Sequence, residues 1–277
     1  MKLKKSTIII HAIAWASALL WIIPLLGTLM ASIRPYSEIL HGWWDFAEFN
    51  PSLDNFLRAL FDPDFPLARG LLNSLLVAIP ATIIPMLIAS LAGYGFARWS
   101  FPLKTYLFLT LVLLMSIPQQ MIAVPIYRIL LDIGLIDTFV GLILVHSAWG
   151  LPWIILFMRN YFSTLPIEVE EAARVDGASD FKIFYKIVIP MTLPALASVA
   201  VLQFMWVWND FFLALLIIGT SENYLVTQRL PYLKGVYHFD HSLLAAGSMI
   251  VTVIPMLLFV VLQKYYIKGM IGWTVKG

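Results

Sequence analysis

Glu168, Glu170, Glu171, Arg174, Asp176 and Asp180 fall within thirteen residues of this 277-residue chain, inside the stretch from Arg159 to Lys186. Ala172, Ala173, Gly177 and Ala178 are interleaved with them. Acidic residues gathered beside small ones offer a docking surface that another protein can approach closely. They do not make a catalytic set. The chain has no G-x-x-x-x-G-K-[ST] phosphate loop, and no glycine is followed by lysine. H-E-x-x-H and G-x-S-x-G are also absent, and with no cysteine there is neither a disulfide nor a thiolate metal site. The remaining polar candidates stand inside or at the ends of apolar runs: Asn73, Ser74, Gln119, Gln120, His146, Asn209 and Asp210.

The acidic stretch is positioned by helices. Thr164 is placed to cap one, with Pro166 in its first turn and acids following at the positive end of the dipole. Leu165, Val169, Ala172 and Ala173 recur at helical spacing as an apolar stripe. Gly177 supplies a left-handed stop. A second helix restarts near Asp180 with Phe181, Phe184, Tyr185 and Val188 on one face. By itself this loop, 159–186, reads equally well as a solvated amphipathic helix carrying Glu170–Arg174 and Glu171–Arg174 pairs.

Around the loop the chain is 61% hydrophobic and 12% charged, about half the charge of a soluble domain. Stretches free of Asp, Glu, Lys and Arg run over 6–33, 70–97, 105–127, 138–158, 187–209 and 241–263. Each exceeds the roughly 20 residues a helix needs to cross a hydrocarbon core. The chain is therefore expected to be all-α, a multi-pass membrane protein with spans at about 8–33, 71–97, 105–127, 138–158, 187–209 and 242–263, in one domain covering 1–277. The first run is twice the length of a secretory signal core and lacks a cleavage site beyond it, so it reads as a retained helix. An even number of spans puts both termini on one side, which holds twelve of the eighteen Lys and Arg residues. That bias places both termini in the cytoplasm. In the outside loop 34–69, the aromatics are expected at the lipid–water interface and a short helix near 54–61. A net charge of +2 gives no sign of a nucleic-acid partner.

Glu171-Ala172-Ala173, three residues, Gly177, nine residues, then Ile187-Val188-Ile189-Pro190 resembles the signature of ABC-importer permeases, E-A-A, G and I-x-L-P at that spacing. Ile189 in place of Leu is the one departure. Gly93-Tyr-Gly-Phe-Ala-Arg98, Ile117-Pro-Gln119 and Trp208-Asn-Asp-Phe211 resemble the carbohydrate branch, and Lys268-Gly-Met with Val275-Lys-Gly277 is similar to the ending of the maltose-type second permease subunit. The resemblance implies a type I ABC importer permease fold in a prokaryotic cell membrane. It implies a second permease subunit, two ATPase subunits that hold ATP and magnesium, an extracytoplasmic substrate-binding protein, and a sugar substrate of two or more units. Glycerol-3-phosphate is the alternative. The helix 167–176 would be the coupling helix, with Glu168, Glu171, Ala172, Ala173, Asp176 and Gly177 meeting the ATPase and Glu171 pairing with an arginine there. The loop 220–240 would reach the binding protein. No cofactor is expected in this chain.

Gln119, His146, Asn209 and Asp210 are the candidates for a translocation pathway. At a bilayer centre an acid costs about 2.5–3.5 kcal/mol, so Asp210 belongs at a cavity or a rim. Substrate or gating contact and a structural hydrogen bond both remain open for it. His146 reads as a satisfied donor between helices, Asn73 and Ser74 as links between helices, and Trp206 and Trp208 as interface anchors. An ion-coupled transporter or an intramembrane enzyme would need ionisable residues within the spans. The six runs contain no Asp, Glu, Lys or Arg.

Overall fold

A computed structural model describes residues 5–64, 66–234 and 240–274. The terminal Val275-Lys-Gly277, and residues 235–239 of the loop expected at a binding protein, lie outside them. The described chain is helical throughout and contains no strand. In order come α1 (Lys5–Ser32), α2 (Tyr36–Ile39), α3 (Asp54–Leu60), α4 (Leu67–Arg98), α5 (Lys104–Leu114), α6 (Ala123–Asp132) and α7 (Phe139–Phe162). They are followed by α8 (Glu168–Val175), α9 (Asp180–Ile183), α10 (Ile189–Met191), α11 (Leu193–Asn209), α12 (Phe212–Ile217), α13 (Val226–Arg229) and α14 (His241–Thr274). Among the described residues, α1, α4, α7 and α14 are each long and apolar enough to cross a membrane. Counting each of two bent helix pairs as one span gives up to six.

The bends correct the expectation of six simple helices. The run 105–127 is broken: α5 and the segment Gln119–Asp132 meet at 98°. Pro118 is extended there (φ −66°, ψ 139°), and a proline also drives the residue before it away from helical angles. In the fifth run, Asp180–Met191 meets α11 at 74°. Pro190 and Pro194 flank this break, and a π-turn at Phe184–Val188 precedes it. At the bend, Thr192 donates its hydroxyl to the Ile189 carbonyl at 2.8 Å.

The chain divides into two compact units, Met1–Leu71 with Gln228–Ile254, and Leu72–Thr227 with Pro255–Gly277. In the first, the carbonyls left open at the end of α1 are taken by Asn55 of α3, whose amide donates to Ser32 O (3.1 Å) and Arg34 O (2.9 Å). Arg34 is buried and organises the following loop. It donates to the Glu38 carboxylate (3.0 Å) and to the Glu48 carbonyl (2.6 Å), with the Phe46 and Phe49 rings beside its guanidinium. Glu38 also accepts from the side chain of Asn50 (2.8 Å). Trp44, Phe46 and Phe49 are exposed, and α3 forms where the sequence places a short helix.

Arg34→Ala leaves the buried Glu38 carboxylate without its cation, whereas Arg34→Met with Glu38→Leu removes both charges and leaves only neutral groups, Asn50 and the Glu48 carbonyl, short of a bond. Hydrogen exchange of amides 34–50 should therefore accelerate by roughly tenfold or more in the single variant and less in the double one.

Candidate docking loop and its anchor

The second unit closes around the foot of α4. Tyr94 and Arg98 lie one turn apart there and both reach Glu170 of α8. The Tyr94 hydroxyl donates to Glu170 Oε2 at 2.7 Å, and Arg98 Nε donates to Oε1 at 2.8 Å. Arg98 also donates to the Leu165 carbonyl at 3.1 Å, so it holds the turn that enters α8. The Glu170 and Arg98 side chains are 2% and 8% exposed. Tyr94 is boxed by the rings of Trp99, Phe162 and Phe184, with centroids 5.0–5.6 Å away. Gly93 allows this crossing, because a Cβ there would lie 3.0 Å from the backbone nitrogen of Arg159 in α7.

With Glu170 turned inward, α8 acquires two faces. Ala173 and, just before the helix, Leu165 pack on the core formed by Tyr94, Met158, Phe162, Ile183 and Phe184. Glu168, Glu171, Ala172, Val175, Asp176 and Gly177 are exposed. The expected stripe is thus divided: Leu165 and Ala173 face inward, Val169 and Ala172 outward. Gly177 has φ +81°, and the helix closes as a Schellman turn, with Ala178 N–H to Ala173 O (3.0 Å) and Gly177 N–H to Arg174 O (3.0 Å). Thr164 does not cap α8. Its hydroxyl folds back onto Tyr161 O at 2.7 Å, and α8 begins only after Ile167. Ser179 caps α9 by accepting from Lys182 N–H. Arg174 turns from the expected glutamates to Asp180, at 3.0 Å, and keeps only a 3.9 Å approach to Glu170. The second helix also departs from expectation. Phe184 and Val188 are buried, but Phe181 and Tyr185 face out.

Two of the four pathway candidates, Asn209 and Asp210, take structural bonds. Asp210 Oδ2 accepts the Leu213 and Ala214 amides at 3.0 and 3.1 Å, capping the start of α12, and the Asp210 carbonyl accepts from Thr227 (2.8 Å). Asn209 bonds back to Met205 O at 2.8 Å. His146 Nε2 is buried 3.8 Å from Asp210 Oδ2, too far for a hydrogen bond, so it is not the satisfied donor expected. Gln119 Nε2 is buried without a partner and is not joined to that pair by any bond among the described residues. Asn73 bonds the backbone that follows α12, donating to Glu222 O and Tyr224 O, whereas Ser74 does link two helices, accepting from Val226 N–H at the start of α13. Trp208 is a core residue stacked on Phe204, while Trp206 is half exposed.

Two residues escape a reading of the sequence by windows. Gln203 of α11 donates to Ala81 O of α4 (3.2 Å) and accepts from Trp153 Nε1 of α7 (3.0 Å), tying three helices. A lone glutamine in an apolar span was its only signal. Asp137, in the short turn before α7, accepts the Gly219 and Thr220 amides at 3.0 Å and the Thr220 hydroxyl. Burial would push its carboxyl up, but these bonds outweigh that and hold it below its ordinary range. A cavity of about 450 Å³ lined by Leu114, Met115, Ile126, Ile129 and Trp149 is predominantly apolar and ill suited to a sugar.

Residues 65–271 match the family described as binding-protein-dependent transport system inner membrane component. A probable ABC transporter permease protein of Pyrococcus horikoshii is 58% identical over 266 residues, 96% of each chain. The α-glucoside transport system permease protein of Rhizobium meliloti is 40% identical over 232 residues, 82% of this chain and 60% of its own. Among solved structures, a subunit of a bacterial ABC transporter involved in the import of the acidic polysaccharide alginate superposes with a TM-score of 0.81 at 21% identity, over 96% of this chain and 99% of that one.

Glu170→Ala leaves the Arg98 guanidinium buried without its carboxylate, a change worth about 3–5 kcal/mol. Thermal unfolding of the detergent-solubilised protein should shift to clearly lower temperature. Glu170→Gln, which still accepts from Tyr94, should lose less, and equal melting of wild type and Glu170→Ala would refute the anchor.

Proposed function

The chain belongs to the binding-protein-dependent transport inner-membrane-component family, as a multi-pass permease subunit of an ABC importer, and from that premise we propose that it carries a sugar and receives its driving force through α8. As a transport component it is not an enzyme. ATP and magnesium belong to a separate ATPase subunit. The observation that carries the reading is the division of α8: an outer face of Glu168, Glu171, Ala172 and Gly177 that this chain leaves exposed, and an inner face locked by Glu170.

An exposed carboxylate beside alanine and glycine lets a partner's surface come within van der Waals contact of the helix. Glu171 then meets a cation in a site from which water is excluded. A pair so desolvated loses about 3–5 kcal/mol when one member is removed, against about 0–1 kcal/mol for an exposed pair. Gly177 has open space where a Cβ would point, so its requirement within this chain is conformational. A side chain there costs about 1–2 kcal/mol of left-handed strain and also intrudes on the partner. When ATP binding draws the ATPase subunits together, α8 moves with them, and the Glu170 anchor passes the displacement to α4.

This orientation puts α8 and both termini in the cytoplasm, in keeping with the lysine and arginine bias. A di- or oligosaccharide suits the α-glucoside relative and the span interiors, which offer no cation for a phosphorylated substrate. The apolar cavity and the structural bonding of Asn209 and Asp210 are in keeping with a second permease subunit making most of the sugar contacts. A substrate-binding protein delivers the sugar outside, at the face that carries the 220–240 loop.

Glu171→Ala and Gly177→Leu should each sharply reduce co-purification of the ATPase and abolish substrate-stimulated hydrolysis, while the spans insert normally. Full retention of bound ATPase and of stimulation in both variants would reduce α8 to a solvated surface helix.

A further inference from the structure

The segment Asp180–Met191 turns 74° away from α11. If α11 spans the bilayer, this segment runs nearer to the membrane plane than to its normal. Its inner side, Ile183, Phe184 and Val188, is packed into the core of the second unit. On its outer side Phe181 is 74% and Tyr185 64% exposed, one turn apart. Lys182 and Lys186, also one turn apart, form the adjacent exposed ridge. The exposed apolar surface continues into Met191 and Leu193, at the point where the chain turns into its span. Large rings beside flexible cations are the pattern of a segment lying in the headgroup layer, the rings at the acyl boundary and the ammonium groups among the phosphates.

Apart from Arg174 and Asp180, which neutralise each other at 3.0 Å where the two arms of the loop meet, charge separates them. The exposed face of α8 carries Glu168, Glu171 and Asp176, which an anionic surface repels. The outer ridge of the next arm carries two lysines, which it attracts. We propose that Phe181, Lys182, Tyr185 and Lys186 form a membrane-surface anchor seated in the anionic headgroups on the side of the docking loop, leaving α8 free for a protein partner. The anchor rests on the membrane-permease reading alone. It does not require α8 to contact an ATPase, so either claim can fail without the other.

The chain has no cysteine, which allows a single spin label at Phe181→Cys or Tyr185→Cys in the assembled transporter with cysteine-free partners. In nanodiscs of phosphatidylcholine with phosphatidylglycerol, both sites should be reached by oxygen more readily than by a water-soluble nickel chelate. Equal access for both reagents means a solvated segment, and exclusion of both means a protein contact; either overturns the proposal. In Lys182→Gln/Lys186→Gln, adding phosphatidylglycerol should no longer deepen the label as it does with both lysines present, each lysine near such a surface being worth about fivefold in binding. An unchanged response to phosphatidylglycerol would overturn the role of the lysines.

Discussion

Glu170 has given up its water at the foot of the second unit, and the surrounding arrangement follows from replacing it. A carboxylate so buried survives only if charge and hydrogen bonds are returned to it. Arg98 returns the charge, and both Arg98 and Tyr94 return the bonds. Because these two come from α4 and the acid from α8, satisfying Glu170 fixes one helix on the other. The inward face of α8 is thereby settled, and so is the outward one. Three neighbouring glutamates in one helix do different work because their angular positions differ: one is buried as an anchor, and the other two stand exposed.

The same economy appears wherever the chain leaves regular helix near membrane depth. A break exposes backbone donors and acceptors that lipid cannot satisfy. Asp210 caps the restart at α12, Thr192 covers the bend before α11, and Asp137, Asn73 and Ser74 bind the backbone after α12. Gln203 ties α4, α7 and α11 at mid-helix. Of the residues that look like a substrate pathway in sequence, Asn209 and Asp210 are thus spent on holding backbone, while Gln119 and His146 each keep a buried nitrogen without a partner.

What could be read from the sequence depended on how local its cause was. The apolar runs were legible because crossing a hydrocarbon core sets a length and forbids charge. Gly177 was legible because a helix stop is decided within a turn, and the family signature fixed which helix it ends. The breaks at Pro118 and between Pro190 and Pro194 escaped a count of charge-free residues, which does not register a missing N–H. Glu170 escaped for a different reason. Read locally, its partner is Arg174 four residues on, which does approach to 3.9 Å, but its hydrogen-bond partners are 72 and 76 residues away in the chain. The placement of Phe181 and Tyr185 was missed because a π-turn shifts the register by which faces are assigned. Asp210 was legible as a residue at a helix end, but not in the bonds it makes there.

The central claim is mechanical: α8 and the end of α4 move as one body because a desolvated carboxylate joins them. The direct measurement is the distance between spin labels at Val175 of α8 and at Ser100, just beyond α4, both exposed. It should be recorded in the assembled importer without nucleotide and with ATP trapped before hydrolysis. The account predicts one narrow distance distribution, the same in both states, which broadens once Glu170 is replaced by alanine. A wild-type distance that changes between the two states would contradict it, because α8 would then slide on α4 without carrying it.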